Sequence, residues 1–357
     1  METDGDHSTR RPTLGITMGD PLGIGAEVVV KALADESLRG RARFQVYGLH
    51  EQIAYAADQA ELTPYWTRAP HETAHEIDRD VIIADFDEHS IDTRLRNQPT
   101  AAAGLASMCF LEAAMEDARL GRIDAIVTGP INKTAWQLAG FAFAGHTDLL
   151  AKYFKASRVT MMFTGGPLRV ALASIHEPLF ELRHTFTIGR VFQPIDLLHQ
   201  ALLDWFGIPS PRIAVAALNP HASENGRFGD EEARIIQPAM EMAAHAGIDV
   251  TGPYPADTLF RRAARGEFDG VVALYHDQAL IPIKLIAFDE AVNLTLGLPI
   301  IRTSVDHGTA FDIVGKNRAE PGSMKAAIRL AIDLSTRRMF DSAPTTPAPS
   351  QPEALMD

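Results

Sequence analysis

ALASIH (residues 171–176), AVAALNPH (214–221) and GVVALYH (270–276) are the stretches that decide how this chain is read. Each is a short apolar run of strand length that ends at or just before a histidine: His176, His221 and His276. In an open α/β sheet, ligands bind at the carboxyl ends of strands. Three neutral imidazoles gathered there form a ready site for a divalent cation. A single strand-end histidine more often caps a turn or bonds to backbone. Repetition of one local pattern, with Glu177, Asn219 or Asp277 close by, brings a metal centre level with that plainer reading.

Working outward, further strand-like runs appear at TLGITM, ARFQVYG, DVIIADF, DAIVTG, VTMMFTG and RVALAS. Helical periodicity is clear in AEVVVKALAD, TAAAGLASMCFLEAAMEDARLG, DEEARIIQPAMEMAAHAG and SMKAAIRLAIDLSTRRM. Alternation of the two patterns predicts an α/β fold with a mostly parallel sheet and helices on both faces. MMFTGGPLRVALAS reads as a hairpin, two apolar runs around a Gly-Gly-Pro turn. A chain of 357 residues suits two α/β/α lobes with a cleft between them. No linker separates the lobes, so they are expected to interleave: 13–128 plus 303–338 as one, and 129–302 as the other. The ends, 1–12 and 339–357, are expected to be disordered, the latter for its Pro, Ser and Thr content.

The net charge of −13 argues against a general nucleic-acid binder, and no basic stripe offsets it. A small pocket can still be locally positive. The one cysteine, Cys109, excludes an internal disulfide and fits a reducing compartment. It sits in an Ala-rich helical stretch, where it reads as a small core residue. Nothing resembles a membrane span or a secretory signal, so a cytoplasmic protein is expected.

Four segments could carry chemistry. TMGDPLGIGAEVVVKAL (17–33) places Gly19, Gly23 and Gly25 between a strand and a helix but does not meet the Rossmann spacing, since Val28 stands at the third position. VTGPINKTAW and GHTDLLAKYF put Asn132, Lys133, His146 and Thr147 ahead of helices, with Thr147 a candidate cap and the group a candidate phosphate seat. NPHASENGRFGDEEARI carries His221 and Glu224, and its acids Asp230, Glu231 and Glu232 read as first-turn partners of a helix dipole. Asp257 follows in a Pro-bounded turn. From Tyr275 to Ser323, Lys284, Asn293 and Arg302 interrupt an apolar stretch. Cations there are costly to bury without an anion. A carboxylate or phosphate would satisfy them, and pairing with Asp289 or Glu290 is the competing outcome.

TMGDPLGIGAE, TGPINK, GHTDLLA, NPHASENG, GPYPADTLF, YHDQALIPIK and NLTLGLPIIRTSVDHGTAFD occur in that order. Together they closely resemble the 4-hydroxythreonine-4-phosphate dehydrogenase family, from about Thr13 to Ile332. The resemblance implies an isocitrate/isopropylmalate-dehydrogenase-like fold and a homodimer with a shared active site. It puts metal ligands on His176, His221 and His276, and substrate contacts on His146, Thr147, Lys284, Asn293 and Arg302. DHGTAFDIVGKNRA also looks like the adenosine-binding loop of isopropylmalate dehydrogenases, which puts cofactor contacts on His307, Gly308 and Asp312. A carboxylate at Asp312 would repel a 2′-phosphate, favouring NAD over NADP.

The implied reaction is NAD-dependent oxidation and decarboxylation of 4-phosphooxy-L-threonine to 3-amino-2-oxopropyl phosphate, in pyridoxal 5'-phosphate biosynthesis. Zinc, manganese, magnesium and cobalt are all open as the metal, and three imidazoles favour a later transition metal. Asp257 and Asp277 are candidate general bases only through closeness in sequence to the histidines. Ser223 and Asn225 stand where the family often has Gly, and the first loop reads MGDP rather than PGEP. MGDP-type loops also occur in relatives acting on phosphorylated sugar acids, and another branch oxidises cis-dihydrodiols. The alternative substrates are therefore 4-phospho-D-threonate or D-erythronate, then a cis-dihydrodiol.

Overall fold

The computed structural model describes residues 10–341. Twelve strands form one sheet in the order β3-β4-β2-β1-β5-β12-β11-β6-β7-β10-β8-β9. They are β1 (Thr13–Thr17), β2 (Arg43–Gly48), β3 (Thr67–Pro70), β4 (Val81–Asp85), β5 (Ala125–Thr128), β6 (Thr160–Gly165), β7 (Leu168–Leu172), β8 (Ile213–Ala216), β9 (Val250–Tyr254), β10 (Gly270–Ala273), β11 (Val292–Leu296) and β12 (Ile301–Val305). Pairing is parallel at both ends of the sheet. Only the centre is antiparallel, at β12/β11, β11/β6 and β6/β7. The mostly parallel sheet and the β6–β7 hairpin are thus as expected.

β3, β9, β11 and β12 are not among the expected strands. β3 and β9 are short and partly exposed, and their mixed polarity hides the period of two. β11 and β12 carry Asn293, Arg302 and Ser304 in what would otherwise be continuous apolar runs. Those polar residues belong to the site described below.

Parallel strands buried on both faces need apolar residues throughout. Val81–Asp85, Ala125–Thr128 and Gly270–Ala273 are buried at every position. The helix Ala101–Arg119, capped by Thr100 Oγ1 on Ala103 N at 3.1 Å, packs on β1, β2 and β5. Gly104 within it meets the next helix, Lys133–Leu138, so closely that a Cβ would lie 2.0 Å from the Ala135 carbonyl oxygen. The buried Trp136 crosses that contact and donates to Ser107 Oγ at 2.9 Å. The helix Gly322–Asp341 covers β12, β5 and β11, and Thr303 bonds to the Ala327 carbonyl. It runs past the boundary expected at 338, while 1–9 and 342–357 lie outside the described residues. Among the described residues, no helix is long and apolar enough to cross a membrane.

Gly19 turns the chain out of β1 with φ +81°, and a Cβ there would sit 2.2 Å from the Pro130 carbonyl oxygen. The glycine-rich first loop is thereby packed against Gly129–Pro130.

Candidate active site

Side chains alternate across a strand, so residues two apart share a face. Arg302 and Ser304 on β12 share one face. Ser304 pairs with Thr128 on β5 and Asn293 on β11, and Thr295 pairs with Met161 on β6. Register alone therefore lays a polar patch across the antiparallel centre, on the face opposite Thr303 and its helix. A cavity of about 700 Å³ opens over it, lined in part by Arg302, Asn293, Met161, His146, Thr147 and His176.

Arg302 is 2% exposed. Its guanidinium donates to Thr128 Oγ1 at 2.6 Å and Thr295 Oγ1 at 3.1 Å, and its Nε is buried without a partner. Among the described residues it meets no carboxylate. Burial pushes its pKa down to about 9, and a guanidinium in that position remains charged at neutral pH. An uncompensated buried cation is costly, and an anion in the cavity would relieve it.

Four more buried polar atoms without partners belong to residues on the same wall: His146 Nε2, Thr147 Oγ1, Asn293 Oδ1 and His307 Nε2. Buried polar groups are nearly always bonded, so a cluster of orphans marks a place for a ligand. His146 opens the helix His146–Tyr153, and Trp136 packs edge-on against it, ring centroids 5.7 Å apart. Burial, then the Arg302 and Lys133 cations, hold His146 well below the usual histidine range, so the imidazole is neutral. Thr147 is not the helix cap. Gly145 occupies that position, which leaves the Thr147 hydroxyl for the cavity. Asn132 is a cap, accepting from Ala135 N at 2.9 Å.

Lys284 stands apart from this wall. It is half-exposed on the helix His276–Ala287, with its ammonium 3.0 Å from Asp306 and over the Phe288 ring. Its partner is neither Asp289 nor Glu290 but Asp306, which does line the cavity.

β7, β10 and β8 are neighbours and parallel, so His176, His276 and His221 all leave the same edge of the sheet. His176 and His276 come together with ring centroids 5.9 Å apart. Burial, then the Lys133 and His276 charges, lower the His176 pKa and leave a neutral ring. Asp277 Oδ1 lies 2.7 Å from His276 Nδ1, the arrangement by which a carboxylate fixes an imidazole and frees its other nitrogen for a metal. Asp277, expected as a candidate general base, is here the hydrogen-bond partner of His276. Asp257 sits exposed in the first turn of the helix Ala256–Ala264 and lines neither this cavity nor the adjoining one around His176 and His276.

His221 does not join the other two. Its ring lies beside Phe228, centroids 6.2 Å apart, on an exposed loop. Among the described residues, no three His, Cys, Asp or Glu side chains converge as a metal site would require. Two imidazoles and an orienting carboxylate suit a cation. Among the described residues, no third donor joins them.

Of the residues expected to hold the cofactor, His307 and Gly308 line the cavity, and a Cβ at Gly308 would meet open space. His307 Nδ1 is held by the Gly308 carbonyl at 3.0 Å, with Nε2 left over. Asp312 is exposed nearby in the turn Phe311–Ile313. His307 and Gly308 thus offer free space and an unpartnered ring nitrogen to such a group, while Asp312 does not line the cavity.

Lys133, expected with the phosphate seat, lines the cavity and bears on both His146 and His176. Sequence reasoning leaves two contributors out of the site and misreads a third residue. Thr128 and Thr295 look like ordinary strand residues, and only register reveals them as Arg302 acceptors. Glu232 is not a solvent-facing dipole partner. It is 5% exposed and accepts from Leu218 N and Asn219 N at 2.9 and 2.7 Å. Burial pushes its carboxyl up, and bonds from Ser223 and Asn219 more than offset this, holding it below the usual range.

The family model of the pyridoxal phosphate biosynthetic protein PdxA matches residues 34–331. A 4-hydroxythreonine-4-phosphate dehydrogenase of Desulforapulum autotrophicum is 46% identical over 90% of this chain and 95% of its own. A D-threonate 4-phosphate dehydrogenase of Cupriavidus necator is 43% identical over 92% and 98%. The crystal structure of 4-hydroxythreonine-4-phosphate dehydrogenase from Klebsiella pneumoniae superposes with TM-score 0.83 at 36% identity, covering 92% of this chain and 99% of that one. With most of its length matched at this identity, the chain belongs to the PdxA family of pyridoxal phosphate biosynthetic proteins.

Proposed function

We propose that this protein is an NAD- and divalent-metal-dependent dehydrogenase that oxidises 4-phosphooxy-L-threonine, with loss of carbon dioxide, to 3-amino-2-oxopropyl phosphate. The observation that carries the reading is the buried, unpaired Arg302 at the floor of a cavity ringed by four further orphaned polar atoms. A phosphorylated hydroxy acid supplies the missing anions. Arg302 offers two-pronged contact to phosphate or carboxylate, and Lys133 adds charge at the rim. Thr147, Asn293 and the neutral His146 fix orientation by hydrogen bonds, which is positioning work. Lys284 contributes through Asp306 at the cavity wall.

His176, His221 and His276 would hold the metal, and His307, Gly308 and Asp312 the NAD. When bound, the cation lowers the pKa of the reacting hydroxyl and stabilises developing negative charge, and NAD accepts the hydride. Asp277 keeps His276 in the ligating orientation.

The separation of His221 from the other two histidines supports a site completed by a second copy of the chain. So does the helix His276–Ala287, which with the turn after it leaves Ile281, Leu285 and Phe288 65%, 84% and 69% exposed beside the site. An apolar face of that kind belongs in an interface. The cytoplasm suits the single free thiol, Cys109.

The same chemistry on 4-phospho-D-threonate or D-erythronate is the second reading. It is favoured by the 43% identity to the Cupriavidus necator enzyme, close to that of the first relative. Following NADH production with each substrate separates the two. Turnover of 4-phosphooxy-L-threonine at the higher kcat/KM supports the first reading, and preference for the sugar acid selects the second. Inactivity on both refutes the pair.

A further inference from the structure

The loop that carries His221 has unusual backbone. His221, Ala222, Ser223, Glu224 and Asn225 have φ of 53°, 52°, 65°, 44° and 58°, five consecutive left-handed residues with no glycine among them. Each such L-residue costs roughly 1–2 kcal/mol, less for Asn. A turn of this kind persists only where its surroundings over-determine it.

Backbone bonds from Phe228 N to the Ser223 carbonyl and from Arg227 N to the Glu224 carbonyl close the turn, and one buried carboxylate anchors it. Glu232 Oε1 accepts from the backbone of Leu218 and Asn219, immediately before the turn. Its Oε2 accepts from Asn219 Nδ2 at 2.9 Å and from Ser223 Oγ, inside the turn. Glu232 opens a π-helical turn, Glu232–Ile236, that leads into the helix Gln237–His245. Such widened turns are frequent at functional sites. The helix in turn packs on β9 and on the helix Ile188–Asp204, so the carboxylate is fixed to the core and the turn is fixed to the carboxylate.

We propose that Glu232 is the positioning residue for His221: it ties down the entrance of the left-handed turn and its middle residue, Ser223, and so sets where that imidazole is presented to the cation. This rests on the reading of His221 as a metal donor. Glu232 touches neither metal nor substrate. It acts through the loop, as outer-shell partners of metal ligands do.

The test is Zn²⁺ affinity, measured by chelator competition on the purified full-length protein, for the wild type, His221→Ala, Glu232→Gln and the double variant. Glutamine keeps the size of the side chain but sets an N–H₂ either against the Leu218 and Asn219 backbone donors or against Asn219 Nδ2. The expected result is that Glu232→Gln binds Zn²⁺ roughly 10- to 100-fold more weakly, the usual loss for an outer-shell partner. The double variant should bind no more weakly than His221→Ala alone, because the two act in series. Wild-type affinity in Glu232→Gln overturns the proposal, as does a double variant whose loss is the product of the two singles. If His221→Ala itself binds like the wild type, the metal assignment of His221 fails first and takes the clamp with it. Should Glu232→Gln not fold, Ser223→Ala removes a single bond to the same carboxylate. It should weaken Zn²⁺ binding by about tenfold, and an unchanged affinity there overturns the proposal equally.

Discussion

Replacing Arg302 with methionine should separate activity from stability. Among the described residues the guanidinium bonds only to Thr128 and Thr295, and it is 2% exposed with no carboxylate to balance it. Taking an ion into the interior costs several kcal/mol after relaxation, and apolar replacement of buried charges is often neutral or stabilising. The Arg302→Met variant would lose two hydrogen bonds from a charged donor, roughly 1.5–3 kcal/mol each, while removing that desolvation cost. The two terms nearly cancel, so the ligand-free variant should melt no lower than the wild type. Substrate binding behaves oppositely. Two charge-assisted bonds to a phosphate or carboxylate contribute about 3–6 kcal/mol together. Their loss should lower kcat/KM by roughly 10²- to 10⁴-fold. Thermal melts with and without inorganic phosphate, alongside NADH-coupled kinetics, read both halves. Phosphate at about 100 times its Kd should stabilise the wild type by about 2.7 kcal/mol and leave the variant unmoved. If phosphate stabilises both equally, or kcat/KM falls less than about tenfold, Arg302 is not the anion seat.

Three other perturbations test the remaining physics. Asp20 is fully buried, one oxygen on Leu22 N and the other without a partner, and burial raises its pKa from 3.8 to about 6. The folded state thus prefers the neutral acid, and the stability this contributes is complete below pH 3.8 and lost as pH rises through 6. Asp20→Asn should therefore stabilise the protein at about pH 8 by up to about 3 kcal/mol and do nothing at about pH 4, and equal melting shifts at both pH values would contradict this. Leu285→Glu puts a charge on the exposed apolar face of His276–Ala287. Sedimentation should report monomers, and a variant that stays dimeric would show that the face lies outside the interface. Trp136→Ala should cost about 3–5 kcal/mol in urea unfolding through the cavity it leaves. Losing the edge contact to His146 should also raise KM, and a KM equal to that of the wild type would mean that Trp136 has no part in placing the imidazole.

Much of the sheet can be read directly because parallel strands buried on two faces must be apolar throughout. Helices such as Ala101–Arg119 and Gly322–Asp341 show their period in the same way. The misreadings are informative. β11 and β12 escape notice because Asn293, Arg302 and Ser304 break the apolar pattern, and they break it because that face looks into the cavity. Lys284 misleads for the opposite reason: an apolar stretch around a lysine suggests burial, but here the apolar residues form an exposed helix face. Glu232 misleads because a carboxylate three residues into an acidic run looks like any helix N-terminus. Nothing local says that the loop preceding it folds back onto it.

The α/β class, the strand ends that carry His176, His221 and His276, and the residue types an anionic substrate needs are all legible along the chain. Those follow from short-range periodicity and from the chemistry of single side chains. Tertiary structure decided which of them meet. Register across the antiparallel centre put Arg302 against Thr128 and Thr295, strand order paired His176 with His276, and the His221 ring came to lie beside Phe228. Pairing depends on neighbours distant along the chain, as Thr128 is from Arg302, and no local pattern carries that distance.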